Sequence, residues 1–406
     1  MKFPPIKEQM DLLSRGVEKL VTPEELEQKL VRSEKSEQPL KVKLGADPSR
    51  PDLHIGHAVV LRKLRQFQDL GHHAILIIGD FTAAIGDPTG RNKTRPHISL
   101  QDAQEYGESY VEQATLVLNA NDLEVVHNST WLSGMTFREV IELSAQYTVA
   151  QMLERDDFSK RYKNGVPISI HEFLYPLAQA QDSVALNVDV ELGGTDQLFN
   201  LLVGRELQRQ AGQEPQIILT MPLLEGTDGK EKMSKSMDNY VGLTEAPDQM
   251  YGKILSIPDE LIVKYFLHAT DVSPQHISQI EAEMKDGANP RDFKRELARS
   301  LVSLYYDENA AVEAEIAFDK LFIKKQIPDD MPVYELAADR SDRTIVDVLT
   351  AANILDSRSA VRRMIKQNAV SVNDEKVGDE HFQFESGAEY NVKVGKRKFI
   401  KVICTI

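Results

Sequence analysis

The chain has 406 residues, 41% hydrophobic and 27% charged, with one cysteine and a formal net charge of −15. That length exceeds one compact core and predicts two or three domains at roughly 150 residues each. The composition excludes a disordered or low-complexity chain, and no apolar run approaches the ~20 residues of a membrane helix. The lone cysteine, Cys404, excludes an internal disulfide or a multi-cysteine metal site. The first residues lack the apolar core of a signal peptide, so a reducing cytoplasm is the expected compartment. The acidic balance argues against indiscriminate nucleic-acid binding and leaves room for a local basic patch.

In chain order, Met10 to Leu20 reads as one amphipathic helix. Thr22 opens a second helix as its N-cap, with Pro23 at the first helical position and Glu25 at the capping-box position. Val42 to Gly45 is a short strand, followed by the proline-punctuated loop Asp47-Pro48-Ser49-Arg50-Pro51. A long helix from His54 to Leu70 stops at Gly71, and Ala74 to Gly79 is an apolar strand of the kind buried in parallel sheets. Leu123 to His127, Val184 to Leu192 and Gln216 to Thr220 are further strands. This alternation predicts an α/β protein built on a doubly wound parallel sheet with right-handed crossovers. Ligands of such sheets bind beyond the carboxyl ends of the strands. From about Pro247 to Lys325 the sequence turns helical and charged, and Asp329 to Pro332 reads as a linker. From Thr344 onward a small α+β unit has two short helices, then strands such as Tyr390 to Val394 and Lys398 to Ile403.

Two motifs carry chemistry. His54-Ile55-Gly56-His57 sits after a strand and opens a helix. Its imidazoles, added to the free N–H groups of a helix start, suit a phosphate, and Gly56 leaves room for a flat ring against the backbone. The pattern arises by chance in roughly one such chain in twenty, so two surface histidines are an even match in isolation. Lys232-Met233-Ser234-Lys235-Ser236 lies in a loop rich in glycine and charge. Two lysines there can close on a polyphosphate and follow its charge. This string arises by chance in roughly one chain in ten thousand, which makes a merely solvated basic loop a poor explanation.

Together these motifs resemble the signature pair of the class I aminoacyl-tRNA synthetases, and the chain between them is similar to the tyrosyl-tRNA synthetases. The resemblance implies a Rossmann-like catalytic domain over 1–222 and a mobile loop over 223–246. It also implies a helical anticodon-side domain over 247–335 and an S-four-like RNA-binding domain over 341–406. A dimer interface is implied in an insertion at about 123–167. By the same resemblance His54, His57, Lys232 and Lys235 are catalytic, acting on ATP phosphates and leaving pyrophosphate. Gly56, Gly194, Asp196 and Lys235 are implied to bind ATP, which would bring its own magnesium. The ten histidines do not cluster with carboxylates at ligand spacing, and no protein-held metal is expected.

Tyr175, Gln179 and Asp182 recur at i, i+4 and i+7 and share one helix face. The resemblance implies that Tyr175 and Gln179 hold the α-ammonium of tyrosine and that Asp182 accepts from its phenol. Asp47, Asp87 and Gln197 are implied around the same substrate. Two departures stand out. Lys43 occupies the place of a phenol-binding tyrosine found in many members, and Leu198 that of a common tryptophan.

The stretch Ser357 to Asn373 resembles the S-four-like fold. Arg358, Arg362 and Lys366 recur every four residues with Arg363 beside them, and Lys393, Lys396, Arg397, Lys398 and Lys401 form a second cluster. From Arg340 to the end the formal charge is +3, which leaves −18 on the rest. A basic module on an acidic body suits RNA backbone contact. The expected activity is ATP-dependent joining of tyrosine to tRNA by a cytoplasmic homodimer. A tryptophanyl enzyme, a nucleotidylyltransferase and a noncatalytic RNA-binding protein remain the alternatives.

Overall fold

The structure is a computed structural model and describes residues 3–48, 52–88, 98–323, 331–337, 343–395 and 398–405. The chain divides into two units, Met1–Val312 and Glu313–Ile406. Residues 247–312 of the expected helical domain fall within the first unit.

Short apolar strands build the sheet of the first unit: β1 (Lys19–Val21), β2 (Lys41–Ala46), β3 (His73–Ile78), β4 (Leu123–His127), β5 (Val190–Gly194) and β6 (Ile217–Met221). Their order is β1-β6-β5-β2-β3-β4. Strands β2 to β6 run parallel, and the edge strand β1 alone is antiparallel. Ile75, Ile77, Ile217, Ile218 and Leu219 are fully buried, as strands covered on both faces require. Helix α3 (Ile55–Asp69) packs on β2, β3 and β5. Helices α4 (Ile170–Leu186) and α5 (Leu198–Gln210) pack on each other, and α5 lies against β5 and β6. The topological switch falls at β2, which is flanked by β5 on one side and β3 on the other. Cleft residues therefore gather at the carboxyl ends of these strands.

Two expected elements change. Met10 to Leu20 is not one helix. Helix α1 (Ile6–Ser14) ends early, and Gly16 turns the chain at φ 68 so that residues 19–21 leave as β1. The buried Lys63 of α3 terminates α1. Its ammonium donates to the carbonyls of Leu12, Leu13 and Arg15 at 3.3, 3.0 and 2.9 Å. This partner lies about fifty residues away in sequence, beyond the reach of local periodicity. The run Val184 to Leu192 is split likewise. Its first residues complete α4, Asn187 caps that helix at φ 48, and β5 begins at Val190. A short apolar run does not distinguish the end of a buried helix from a strand.

Helix α2 (Pro23–Ser36) starts as expected, with Thr22 Oγ1 accepting from the Glu25 amide at 3.2 Å. The reciprocal half of a capping box is not formed. Glu25 instead binds Arg205 of α5 through two bonds of 2.7 and 2.6 Å.

The second unit carries a five-stranded sheet, β7 (Val333–Leu336), β8 (Val370–Val372), β9 (Glu375–Lys376), β10 (Glu389–Val394) and β11 (Lys398–Cys404), in the order β7-β11-β10-β8-β9. Helices α6 (Ile345–Ala351) and α7 (Arg358–Lys366) complete it. Val361 and Ile365 of α7 join Val348, Leu349, Val392, Ile400 and Val402 in its core. Their spacing turns the arginines of α7 outward.

Candidate active site

The HIGH element begins where a parallel strand hands over to a helix. His54 is the N-cap of α3 and only 6% exposed. Its ring stacks on that of His57, with centroids 3.7 Å apart. His57 Nδ1 accepts from the His54 backbone N–H at 3.2 Å. That bond assigns the proton to Nε2, which is then a donor. His54 Nδ1 is buried with no partner among the described residues. Burial, then the charges around it, hold His54 well below the usual histidine range. Burial of the ring, and then the Lys235 and Lys232 charges, push His57 down to about 4, although the residue as a whole is exposed. Both imidazoles are therefore neutral at pH 7. The space expected beside Gly56 is already occupied: a Cβ there would lie 3.0 Å from His54 Nδ1 and 3.5 Å from Met233.

The lysine loop is a tight hairpin folded against this element. Glu225 pairs with Lys232, and the Met233 amide donates to the Leu224 carbonyl. The buried Asn239 ties the hairpin from within. Its Oδ1 accepts from the Ser234 amide at 2.8 Å, and its Nδ2 donates to Asp228 at 3.1 Å and to the Glu231 carbonyl at 3.3 Å. Past the loop, Ile55 donates to Val241 and Leu243 donates to Leu53, which joins the two motifs through backbone. Lys232 Nζ meets Asp196 at 2.9 Å. Lys235 bonds the Asp52 carbonyl, with the Asp52 carboxylate 3.4 Å away.

A second cluster occupies the ends of β2, β3, β4 and β5. Asp47, one residue past β2, accepts from Tyr175 at 2.8 Å and from Thr82 at 2.7 Å. Any side chain at Gly79 would collide with Asp47 Oδ1 and Thr82 Oγ1, which explains the glycine there. Asp87 accepts from Gln197 at 3.0 Å, whereas Thr89 and Gly90 of that loop lie outside the described residues. Asn200 donates to both Gln197 and Gln179, at 3.0 and 3.1 Å. Asp182 is buried and accepts from Trp131 at 2.8 Å and Asn128 at 3.4 Å. Burial pushes its carboxyl up to about 7, against the lowering charge of Lys43 and the Trp131 and Asn128 bonds. Gly194 leads into the turn that carries Asp196, whose carboxylate would lie 2.7 Å from a Cβ on that glycine.

So the catalytic, ATP-side and tyrosine-side residues expected from sequence converge on one end of the sheet. Trp131, Asn128, Thr82, Asn200, Glu191 and Asn239 were not anticipated. Two carried a signal: Trp131 is the only tryptophan, and Glu191 interrupts an apolar strand.

The basic face expected on α7 is partly neutralised. Arg358 pairs with Asp347 at 2.5 Å and Arg362 with Glu380 at 3.0 Å. Arg363 and Lys366 have no ion-pair partner among the described residues. In the second basic cluster Lys401 pairs with Glu389 at 2.6 Å, and Lys396 and Arg397 lie outside the described residues.

Comparison with known proteins agrees with this geometry. The family of class I tRNA synthetases for W and Y matches residues 35–323. The tyrosine–tRNA ligase SYY-like C-terminal domain matches residues 323–402. The tyrosine–tRNA ligase of Chlorobium chlorochromatii is 55% identical over 403 residues, which cover 99% of each chain. That of Thermotoga maritima is 52% identical over 397 residues, 98% of this chain and 97% of its own. The structure of Archaeoglobus fulgidus tyrosyl-tRNA synthetase with L-tyrosine aligns at TM-score 0.63 and 23% identity, covering 76% of this chain and 99% of that one. At that identity the likeness concerns the fold alone. Fold, site and family match together define a class I aminoacyl-tRNA synthetase. Within that class, the chain belongs to the tyrosine–tRNA ligases. Membership sets aside the tryptophan branch that the sequence had left open.

The sole tryptophan donates directly to Asp182, so it reports that carboxyl. We expect Trp131 fluorescence to titrate with a midpoint near pH 7, with Asp182 protonated on the acid side. Asp182→Asn should abolish the transition. A native profile flat from pH 6 to 8 would show that the carboxyl does not titrate there.

Proposed function

We propose that this chain activates L-tyrosine with ATP and then esterifies the 3′ end of its tRNA through the residues described above. In the first step a tyrosine carboxylate oxygen attacks the α-phosphorus, the bond to the β-phosphate oxygen breaks, and pyrophosphate leaves. In the second a terminal ribose hydroxyl attacks the carbonyl of the adenylate, and AMP leaves. The chain supplies positioning and charge stabilisation rather than a covalent nucleophile.

The observation that carries this reading is the neutral histidine pair set beside two lysines. His57 Nε2–H is a donor, and the buried His54 Nδ1 awaits a partner. Polyphosphate would draw Lys232 from Asp196 and Lys235 from Asp52. Asp196 is thereby released toward the ribose. Magnesium arrives on ATP, held by phosphate oxygens and water. Gly194 lets backbone approach the nucleotide, whereas the room beside Gly56 is taken by the His54 ring. In the amino-acid pocket, Tyr175, Gln179 and Asp87 hold the ammonium, with Asp47 and Gln197 behind them. Asp182, steadied by Trp131 and Asn128, accepts from the phenol. Phenylalanine would leave that buried acceptor without its partner, so it is rejected strongly.

We also read the chain as a cytoplasmic homodimer. Phe137, Ile141, Val149, Tyr162 and Ile170 are exposed by 81, 53, 61, 69 and 80% within one short stretch. Concentrated apolar exposure of this kind marks a protein interface. The second unit would take tRNA phosphates through Arg363 and Lys366, with Arg358 and Arg362 exchanging their carboxylates for phosphate.

Four experiments test this reading. Pyrophosphate should exchange into ATP with tyrosine and not with the other amino acids. His57→Ala and Lys235→Ala should slow adenylate formation at least 100-fold while changing tyrosine affinity little. Exchange with no amino acid, or equal losses in rate and affinity, would overturn the assignment. Phe137→Asp should shift the protein toward monomer in sedimentation equilibrium, and an unchanged mass would refute that interface. Arg363→Glu with Lys366→Glu should lower tRNA charging roughly tenfold or more at low salt while leaving exchange intact. Unaltered charging would remove the RNA role of α7.

A further inference from the structure

Lys43 stands in β2 between the buried apolar residues Val42 and Leu44, and is itself 1% exposed. The β2–β5 register places it beside Glu191, which is 2% exposed. Lys43 Nζ lies 3.0 Å from Glu191 Oε1. Desolvation largely offsets the attraction within such a pair, and apolar residues of similar size would stabilise the sheet as well. The pair therefore calls for a reason other than stability.

That reason lies in what else the two side chains hold. Glu191 Oε1 also accepts from Gln179 Nε2 at 3.2 Å. Glu191 Oε2 accepts from Ser183 Oγ at 3.2 Å and from Gln216 Nε2. Lys43 Nζ donates to the Gln179 backbone carbonyl at 3.4 Å. Both charges thus grip one turn of α4. A carboxylate only accepts, so only the NH₂ end of the Gln179 amide fits against it. The amide oxygen is turned away. It accepts from Asn200 at 3.1 Å and keeps a second lone pair.

We propose that Glu191, with Lys43 as its buried counter-ion, is the positioning residue that aims the Gln179 amide oxygen at the amino group of the substrate. This rests on the amino-acid pocket proposed above. An ammonium needs acceptors. A Gln179 amide turned by half a revolution would present N–H groups to it and repel it. Lys43 thus serves the same pocket from beneath, through the carboxylate that orients its amide.

The test compares two ligands on the full chain: L-tyrosine, and 3-(4-hydroxyphenyl)propanoate, which is tyrosine without its amino group. Glu191→Gln should weaken L-tyrosine roughly tenfold or more and leave the propanoate within about twofold. Glu191→Asp keeps the negative charge in the sheet but draws back the oxygen that Lys43 and Gln179 share, so it should behave alike. Gln179→Ala should also weaken L-tyrosine, and adding Glu191→Gln to it should cost little more. Equal weakening of both ligands, or additive losses in the double variant, would overturn the positioning role. So would failure of both Glu191 variants to fold, because the pair would then hold the sheet. If the native chain does not bind tyrosine, or Gln179→Ala binds it unchanged, the pocket reading itself falls and takes this one with it.

Discussion

Charge placed at the carboxyl ends of parallel strands must find partners, because those ends are walled by a sheet buried on both faces. Lys43 and Glu191 lie within the sheet itself, and Asp47, Asp80, Asn128 and Asp182 lie at or near its rim. Each is held by specific bonds. Asp80, fully buried, accepts from the Ser129 amide and hydroxyl and from the Phe81 amide. Asp47 takes Tyr175 and Thr82, and Asp182 takes Trp131 and Asn128. An unpaired group in such surroundings costs more than a paired one gains. Most polar groups of the cleft are satisfied in this way, and His54 Nδ1 is one of the few buried polar atoms among the described residues without a hydrogen-bond partner.

The same constraint governs protonation. Four positive or potentially positive groups crowd the histidine and lysine motifs. Burial, and after it the nearby ammoniums, lowers the pKa values of both imidazoles. Asp182 moves the other way, because burial opposes its charge more than its donors support it. The histidine and lysine motifs therefore combine neutral imidazoles with nearby ammoniums, and the Asp182 cluster is built around a carboxyl pushed up to about 7. Lys232 and Lys235 rest on Asp196 and Asp52.

Much of this was legible before the fold was known. The strand β4 appears with the limits read from sequence, and α3 within one residue at each end. The HIGH and KMSKS elements face each other as their chemistry requires. The failures have one cause. Met10 to Leu20 kept helical periodicity past Ser14, yet Lys63, far along the chain, ends the helix there. Val184 to Leu192 was apolar enough for either element. The helix face of Tyr175, Gln179 and Asp182 was visible, whereas their partners come from four other elements. The arginines of α7 were visible too, but Asp347 and Glu380, which neutralise two of them, adjoin only in three dimensions.

By itself the sequence determined the class of fold and the reaction chemistry, and it singled out residues that the fold gathers at one end of the sheet. Those rest on local signals: strand and helix periods, turn glycines, and motifs whose spacing is set within one element. Only the tertiary structure decided the protonation and orientation of those residues. Whether His57 is neutral, whether Asp182 titrates near 7, and which way the Gln179 amide points depend on burial and on neighbours from distant segments. Lys43 shows the division most clearly. In sequence it is an anomaly in an apolar strand, and in the fold it is the counter-ion of Glu191. Strand register, a property of two segments together, is what joins them.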